Sequence, residues 1–253
     1  GDIGVIMARR CSLEGMKVVC VAEVLPYPSG LTRNKVQCLD DYGIPLYLSH
    51  TICDIRGEDR VKGATIAKVD DKWDPIPGTE KVFDVDTILF SVGLIPENEL
   101  TKDAGAKITK NGGPNVNEFF QTTIPGIFAC GNVLQVHDLV DWVTQEAELV
   151  GENAAKFVKG ELETSPEPDK KTIEVLPGEN VGYVKPNRID RPGEDVKRVR
   201  FSYRVRRPEK NIRTELVSKG EIIYSRKHRF VVPSEMIIIK PKLKVDSIGD
   251  SIT

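Results

Sequence analysis

Hydrophobic and polar positions along this chain follow a helical period in some stretches and a period of two in others. Residues 5–16, VIMARRCSLEGM, carry a helix-compatible apolar stripe through Val5, Ile6, Cys11 and Leu13 that stops at Gly15. KVVCVAE (17–23) is a short Val-rich run of the kind found in buried parallel strands. After the turn cluster PYPSG, residues 31–43 predict a helix stopped by Gly43, and IPLYLSH (44–50) predicts the next strand. Strand, helix and strand at this spacing imply a parallel sheet with helices on its faces.

From Thr51 the texture changes. Residues 60–70 and 80–86 alternate apolar and polar positions around a turn-rich DKWDPIPGT, which predicts a hairpin. DTILFSVG (86–93) again has the pattern of a buried strand. Residues 95–113 predict loop and a short helix, and PNVN and GIFACGN (126–132) are strand-like. Residues 138–160 predict a long helix with Asp138 as N-cap and Gly160 as stop. Its apolar face is drawn through positions 139, 140, 143, 147, 150, 154, 155 and 158.

ETSPEPDKK (163–171) is rich in proline and charge and is placed as a linker at a domain boundary. Beyond it the period is two. Residues 196–206, 212–218, 220–232 and 235–245 predict strands of a small all-β, sandwich-like domain. In VKRVRFSYRVR, Val199, Phe201, Tyr203 and Val205 are expected to face inward, with Arg198, Arg200, Arg204 and Arg206 on a solvated face.

The fold class is therefore α/β over residues 1–165 followed by a β-rich part over residues 166–253. A chain of 253 residues is long enough to bury a core without disulfide or metal staples. No apolar run approaches a membrane span, and Arg9 and Arg10 interrupt the first one. The net charge of −2 hides an asymmetry: −9 over residues 1–165 and +7 over residues 166–253. The basic strand is expected to dock on an acidic partner or on the acidic part of the chain, and no nucleic-acid binding is expected. Five cysteines without a C-x-x-C pair fit reduced thiols in a cytoplasmic protein. Cys130 sits in an apolar run and is expected in the core. His50, His137 and His228 show no ligand spacing, so no metal site is expected.

The first candidate site is the chain's start. Gly1-Asp2-Ile3-Gly4 opens a helix, and the strand after it ends at Glu23, which matches the back half of a G-x-G-x-x-G dinucleotide fingerprint. Gly1 would let a pyrophosphate approach bare backbone, and Gly4 would let helix and strand pack closely. The helix start supplies N–H groups to phosphate. Glu23, 19 residues past Gly4, stands where an acid accepts hydrogen bonds from a ribose. With no Arg beside it, this acid favours NAD over NADP.

The segments GDIGVIMARR, VAEVLPYPSGLTRN, DTILFSVGLIPENEL and TTIPGIFACGN, in this order, resemble FAD-dependent pyridine nucleotide-disulfide oxidoreductases. The resemblance covers about residues 1–160 and looks closest to the subgroup associated with anaerobic glycerol-3-phosphate dehydrogenase-type proteins. It implies a Rossmann-like NAD-binding domain over residues 1–93, followed by the C-terminal half of a split FAD-binding domain over residues 94–165. SVGLIP (91–96) matches the crossover segment, with Gly93 close to the nicotinamide nucleotide. Thr122, Gly126, Ala129, Gly131 and Asn132 match the second flavin motif, which usually ends Gly-Asp. The helix start, His137 with Asp138, Leu139 and Val140, would lie nearest the flavin ring, where its dipole favours negative charge on reduced flavin. His137 has two readings there: a helix-start residue bonding the backbone, or a proton donor beside the flavin.

By the same resemblance the sequence begins inside a glycine motif, as a fragment of a longer flavoprotein would. The implied activity is hydride transfer between NAD(P)H and FAD and onward to an acceptor. A glycerol-3-phosphate dehydrogenase-like flavoprotein subunit is the implied partner, and an oligomer is possible. The alternative is a non-catalytic scaffold or electron-transfer subunit with degenerate nucleotide sites, a reading that Asn132 in place of Asp favours.

Overall fold

The computed structural model describes residues 1–162, 172–190 and 196–253. They form two compact units, Gly1–Gly93 and Leu94–Thr253. The linker expected at 163–171 lies outside the described residues.

In the first unit, α1 (Asp2–Leu13) buries Val5, Ala8 and Cys11, which recur every three residues on one side, while Ile6 and Leu13 of the expected stripe are exposed because they lie off that side. It ends at Gly15, whose φ of +87° is left-handed backbone, and the Met16 N–H returns to the Cys11 carbonyl at 3.0 Å. β1 (Val21–Glu23), α2 (Thr32–Cys38) and β2 (Leu46–Leu48) make the expected crossover, with β1 and β2 parallel and Glu23 opposite Leu48. Val5, Ala8, Cys38, Leu39 and Ile44 form the core beneath them. The helix expected over 31–43 is instead α2 plus a separate 3-10 turn at Asp40–Tyr42, closed by the left-handed Gly43.

β3 (His50–Arg56), β4 (Gly63–Lys68) and β5 (Lys81–Phe83) form an antiparallel sheet in that order. The expected hairpin is present as β4 and β5, with Ala64 opposite Phe83, and β3 extends it. The buried strand expected at 86–93 is not formed. Leu89 and Phe90 are exposed and Val92 is 89% exposed. An apolar run becomes a strand only when neighbouring backbone pairs with it, and neither sheet of this unit extends to these residues.

The second unit begins with α3 (Glu99–Asp103) and contains α4 (Val140–Val158). The strands expected at PNVN and GIFACGN reduce to isolated bridges, Ile108 with Pro114 and Gln121 with Phe128. Gly131–Val133 is a 3-10 turn. On α4 the inward stripe is not the one drawn from hydropathy. Val140 is 75% exposed, and Ala147, Ala155 and Val158 face out, while the buried positions are Glu146 and Val150. A carboxylate holds a core position that an apolar count passes over.

The β-rich segment follows as β6 (Thr172–Val175), β7 (Val181–Lys185), β8 (Arg188–Asp190), β9 (Val196–Arg198) and β10 (Phe201–Val205). Next come β11 (Glu209–Ser218), β12 (Glu221–Val231), β13 (Ile237–Ile239), β14 (Lys242–Lys244) and β15 (Ser251–Ile252). Among the described residues these make four short sheets rather than two broad ones: β7–β10–β13, β11–β12, β9–β14 and β8–β6–β15. Pro186, Pro233 and Pro241, lacking an N–H, stand between the elements, and only the β11–β12 ladder runs long. One core, including Ile173, Ile189, Phe201, Ile239, Leu243 and Ile252, joins them.

The expected split at residue 165 does not separate two bodies, since residues 94–253 pack as one unit. Buried polar bonds cross it. Lys197 pairs with Glu118 at 2.8 Å, and Arg188 donates to the Thr122 carbonyl at 2.9 Å. Lys185, fully buried, donates to the Pro114 carbonyl at 2.6 Å and to Asn187 Oδ1 at 3.0 Å. Among the described residues no helix is long and apolar enough to cross a membrane.

Candidate functional site

The first unit brings the start of α1 to the end of β1. Glu23 Oε2 accepts the Ser29 hydroxyl and lies 3.4 Å from the Gly1 nitrogen, while its Oε1 accepts the Leu25 N–H at 3.2 Å. Gly1 is exposed, and the nearest atom to a Cβ built there is Ser29 Oγ at 3.9 Å. At Gly4 a Cβ would stand 3.2 Å from Ser91 Cβ, so the absence of a side chain permits a close approach of α1 to the 86–93 segment. Gly93 has φ of +94°. Ile3 is exposed.

The side chain of Asp2 serves the fold. Its Oδ1 accepts the Leu31 N–H at 2.7 Å and the Asn34 amide at 2.8 Å, so the carboxylate ties α1 to the start of α2. A carboxylate facing phosphate would repel it, and here the charge is spent on a turn.

In the second unit the run GIFACGN delivers Cys130 in extended backbone and Gly131 at φ +68°, a left-handed turn. Beneath the turn lies Glu146, fully buried. Its Oε1 accepts the Gly131 N–H at 2.8 Å and faces His137 Nε2 at 3.0 Å. Its Oε2 accepts the Gln135 amide at 3.0 Å and lies 3.7 Å from Arg200 Nη1. Gln135 also bonds Ser202 of β10. His137 therefore serves neither expected role cleanly. Its ring is buried on a carboxylate, its Nδ1 has no partner among the described residues, and its amide donates to Asn132 Oδ1 at 3.1 Å.

Asn132 itself is exposed. Thr122 is buried, and its hydroxyl accepts the Ile124 N–H at 3.1 Å, a turn role rather than a ligand role. Asp138 is not the N-cap of α4; that position belongs to Leu139, and no side chain caps the helix. Asp138 instead pairs with Arg204 and accepts the Met236 N–H at 2.6 Å. A charge-assisted bond to a guanidinium is roughly twice as strong as a neutral one, which explains the diversion. Leu139 and Val140 are exposed at the helix start.

The inward face of VKRVRFSYRVR is as expected, with Val199, Phe201, Tyr203 and Val205 buried. Its arginine face is not solvated throughout, because Arg200 and Arg204 are turned onto Glu146 and Asp138. The basic segment does dock on acidic groups, and they belong to the same unit. The Cys130 thiol is pushed up, chiefly by burial and further by Glu146, and burial likewise raises Cys20, so neither is poised as a thiolate. His50 is buried with Nδ1 2.7 Å from the Leu48 carbonyl, and His228 meets Thr214 at 3.0 Å; both are structural.

These residues fit a flavin. A left-handed glycine turn, an exposed amide side chain and the uncapped start of a 19-residue helix supply donors at one surface. Residues 1–153 match the pyridine nucleotide-disulphide oxidoreductase family. This chain belongs to that family.

An NADH oxidase of Methanocaldococcus jannaschii is 30% identical over 168 residues, 64% of this chain and 34% of the relative. An NADH oxidase of Streptococcus pneumoniae is 30% identical over 143 residues, 54% of this chain and 28% of the relative. Among solved structures, T. acidophilum thioredoxin reductase superposes with a TM-score of 0.55 at 25% identity, over 63% of this chain and 50% of that one. The chain thus spans about a third of the curated relatives it matches. The family match ends before the β-rich segment, so Arg200 and Arg204 lie outside it.

Sequence reasoning missed four residues of this site: Glu146, Gln135, Arg200 and Arg204. One signal was available. Positions 143, 146, 150, 154 and 157 follow a helical period, with Glu146 inside it.

Proposed function

We propose that this chain is part of a flavoprotein oxidoreductase that moves a hydride between NAD(P)H and FAD and passes the electrons onward. The observation that carries the reading is the occurrence, in one family match, of Glu23 beside Gly1 and of the Gly131 turn beside the uncapped α4. FAD, when bound, supplies a two-electron acceptor that the side chains of a protein lack. The chain's own residues bind and orient. Gly1 and the start of α1 take phosphate, Glu23 takes a ribose hydroxyl, and Gly93 leaves room for the nicotinamide nucleotide. Asn132 and the start of α4, at Leu139 and Val140, receive the flavin; Thr122 shapes the turn that leads there.

Glu23 makes NAD the favoured nucleotide, because its carboxylate repels a 2′-phosphate. A glycerol-3-phosphate dehydrogenase-like flavoprotein subunit is the proposed onward acceptor. The five cysteines, all free, support a reducing, cytoplasmic setting. Anaerobic addition of NADH to the FAD-loaded protein tests the reading. Bleaching of the flavin's visible band is expected, and a flavin that stays oxidised overturns it.

A second reading, a scaffold subunit with degenerate sites, rests on Asn132. Its carbonyl oxygen is spent on the His137 N–H, where the family motif usually has a carboxylate. Co-purification with an active dehydrogenase while no flavin binds would favour it.

A further inference from the structure

Asp138 stands one residue ahead of the α4 N-cap and has the side chain most able to close a helix start. It does not do so. Arg204, on β10 and outside the family match, uses every nitrogen of its guanidinium around the loop that leads into α4. Nη2 donates to Asp138 and to the Val136 carbonyl at 2.9 Å, Nη1 to the Pro233 carbonyl at 3.0 Å, and Nε to the Tyr183 hydroxyl at 3.2 Å. The Met236 N–H takes the second carboxylate oxygen of Asp138 at 2.6 Å. Both oxygens are thereby turned away from the helix. Leu139, left at the N-cap, has no side chain able to cap, so no side chain closes the first N–H groups of α4; the Trp142 N–H turns back to the Leu139 carbonyl at 3.2 Å, and those of Val140 and Asp141 are the ones left to a ligand.

We propose that Arg204 is a positioning residue that keeps the start of α4 uncapped for the flavin by diverting Asp138. The β-rich segment is then a part of the flavin site rather than an appendage to it. The inference rests on the proposed flavin reading and adds a role for a residue that makes no contact with the cofactor. Open N–H groups at a helix start favour negative charge, so the effect falls more on reduced than on oxidised flavin.

The experiment uses the full protein with FAD and the variants Arg204→Gln, Asp138→Ala and the double variant. In Arg204→Gln, the freed Asp138 caps α4. Reduced flavin then binds roughly two- to thirtyfold more weakly relative to oxidised flavin, the factor spanned by helix-terminus charge effects. Amide exchange at Asp141 slows at the same time. In the double variant both properties return to wild type, and Asp138→Ala alone resembles wild type.

The exchange readout needs no flavin. A protein that binds no FAD yet shows the slowed and restored exchange refutes the flavin reading and leaves the diversion standing. Unchanged exchange in folded Arg204→Gln overturns the diversion. A double variant as impaired as the single one does the same, since Arg204 would then act through packing alone. Should Arg204→Gln not fold, Arg204→Lys loses the two carbonyl contacts and gives the same changes at smaller amplitude.

Discussion

The carboxylate of Glu146, fully buried on α4, accepts the backbone N–H of Gly131 at 2.8 Å. The left-handed turn of the flavin motif is thus held from below by an acid 15 residues later, and the same acid gathers Gln135, His137 and Arg200. Glu146→Ala leaves these donors and a guanidinium without their anion. A loss of about 3–5 kcal/mol is expected in denaturant unfolding, with a smaller loss for Glu146→Gln. A change under about 0.5 kcal/mol in both would contradict this role for the carboxylate.

Burial pushes the Lys185 ammonium from 10.5 down to about 7, with Glu146 pulling weakly the other way. Between about pH 7 and pH 10.5 the unfolded chain holds a proton that the folded chain has released. Stability should therefore rise with pH across that window, by at most about 1.4 kcal/mol per pH unit. Below pH 7 both states are protonated and the cost of burial is constant. Lys185→Met should remove this slope, which chemical unfolding at a series of pH values would read directly.

Gly113 admits no side chain, because a Cβ there would meet the Leu134 carbonyl oxygen at 1.9 Å. Leu134 leads from the Gly131 turn toward α4, so Gly113→Ala must push the loop ahead of α4 aside. The expected cost is about 3 kcal/mol or more, visible as a lowered thermal midpoint. At Gly43 no atom lies within 4 Å of a built Cβ, so Gly43→Ala meets only the strain of φ +62° and should cost about 1–2 kcal/mol. Equal losses at the two sites would refute the steric account of Gly113.

Glu23 is held by Ser29 and the Leu25 N–H at the end of β1. Glu23→Ser removes the charge that repels a 2′-phosphate. The ratio of kcat/KM for NADPH over NADH should rise about tenfold, equivalent to about 1.4 kcal/mol. A ratio that does not move would show that another group sets the preference.

Much of this protein was determined locally and is legible in the chain. The helix α1 with its stop at Gly15, the crossover from β1 to β2, the β4–β5 hairpin and the inward Val199, Phe201, Tyr203 and Val205 follow from periodicity and turn chemistry. So do the two glycine motifs, whose backbone demands restrict the residue at each position. Tertiary structure decided what a charge does. Asp138 reads as a helix cap and is an arginine's partner. Asp2, in the glycine motif at the start of α1, holds a turn. Glu146, off the apolar face drawn for α4, is the buried anchor of the Gly131 turn. The physical reason is one of range. An apolar period expresses where water is and needs no particular partner, whereas a buried charge is stable only beside the group that satisfies it. For Asp138 and Glu146, Arg204 and Arg200 lie more than fifty residues away in sequence.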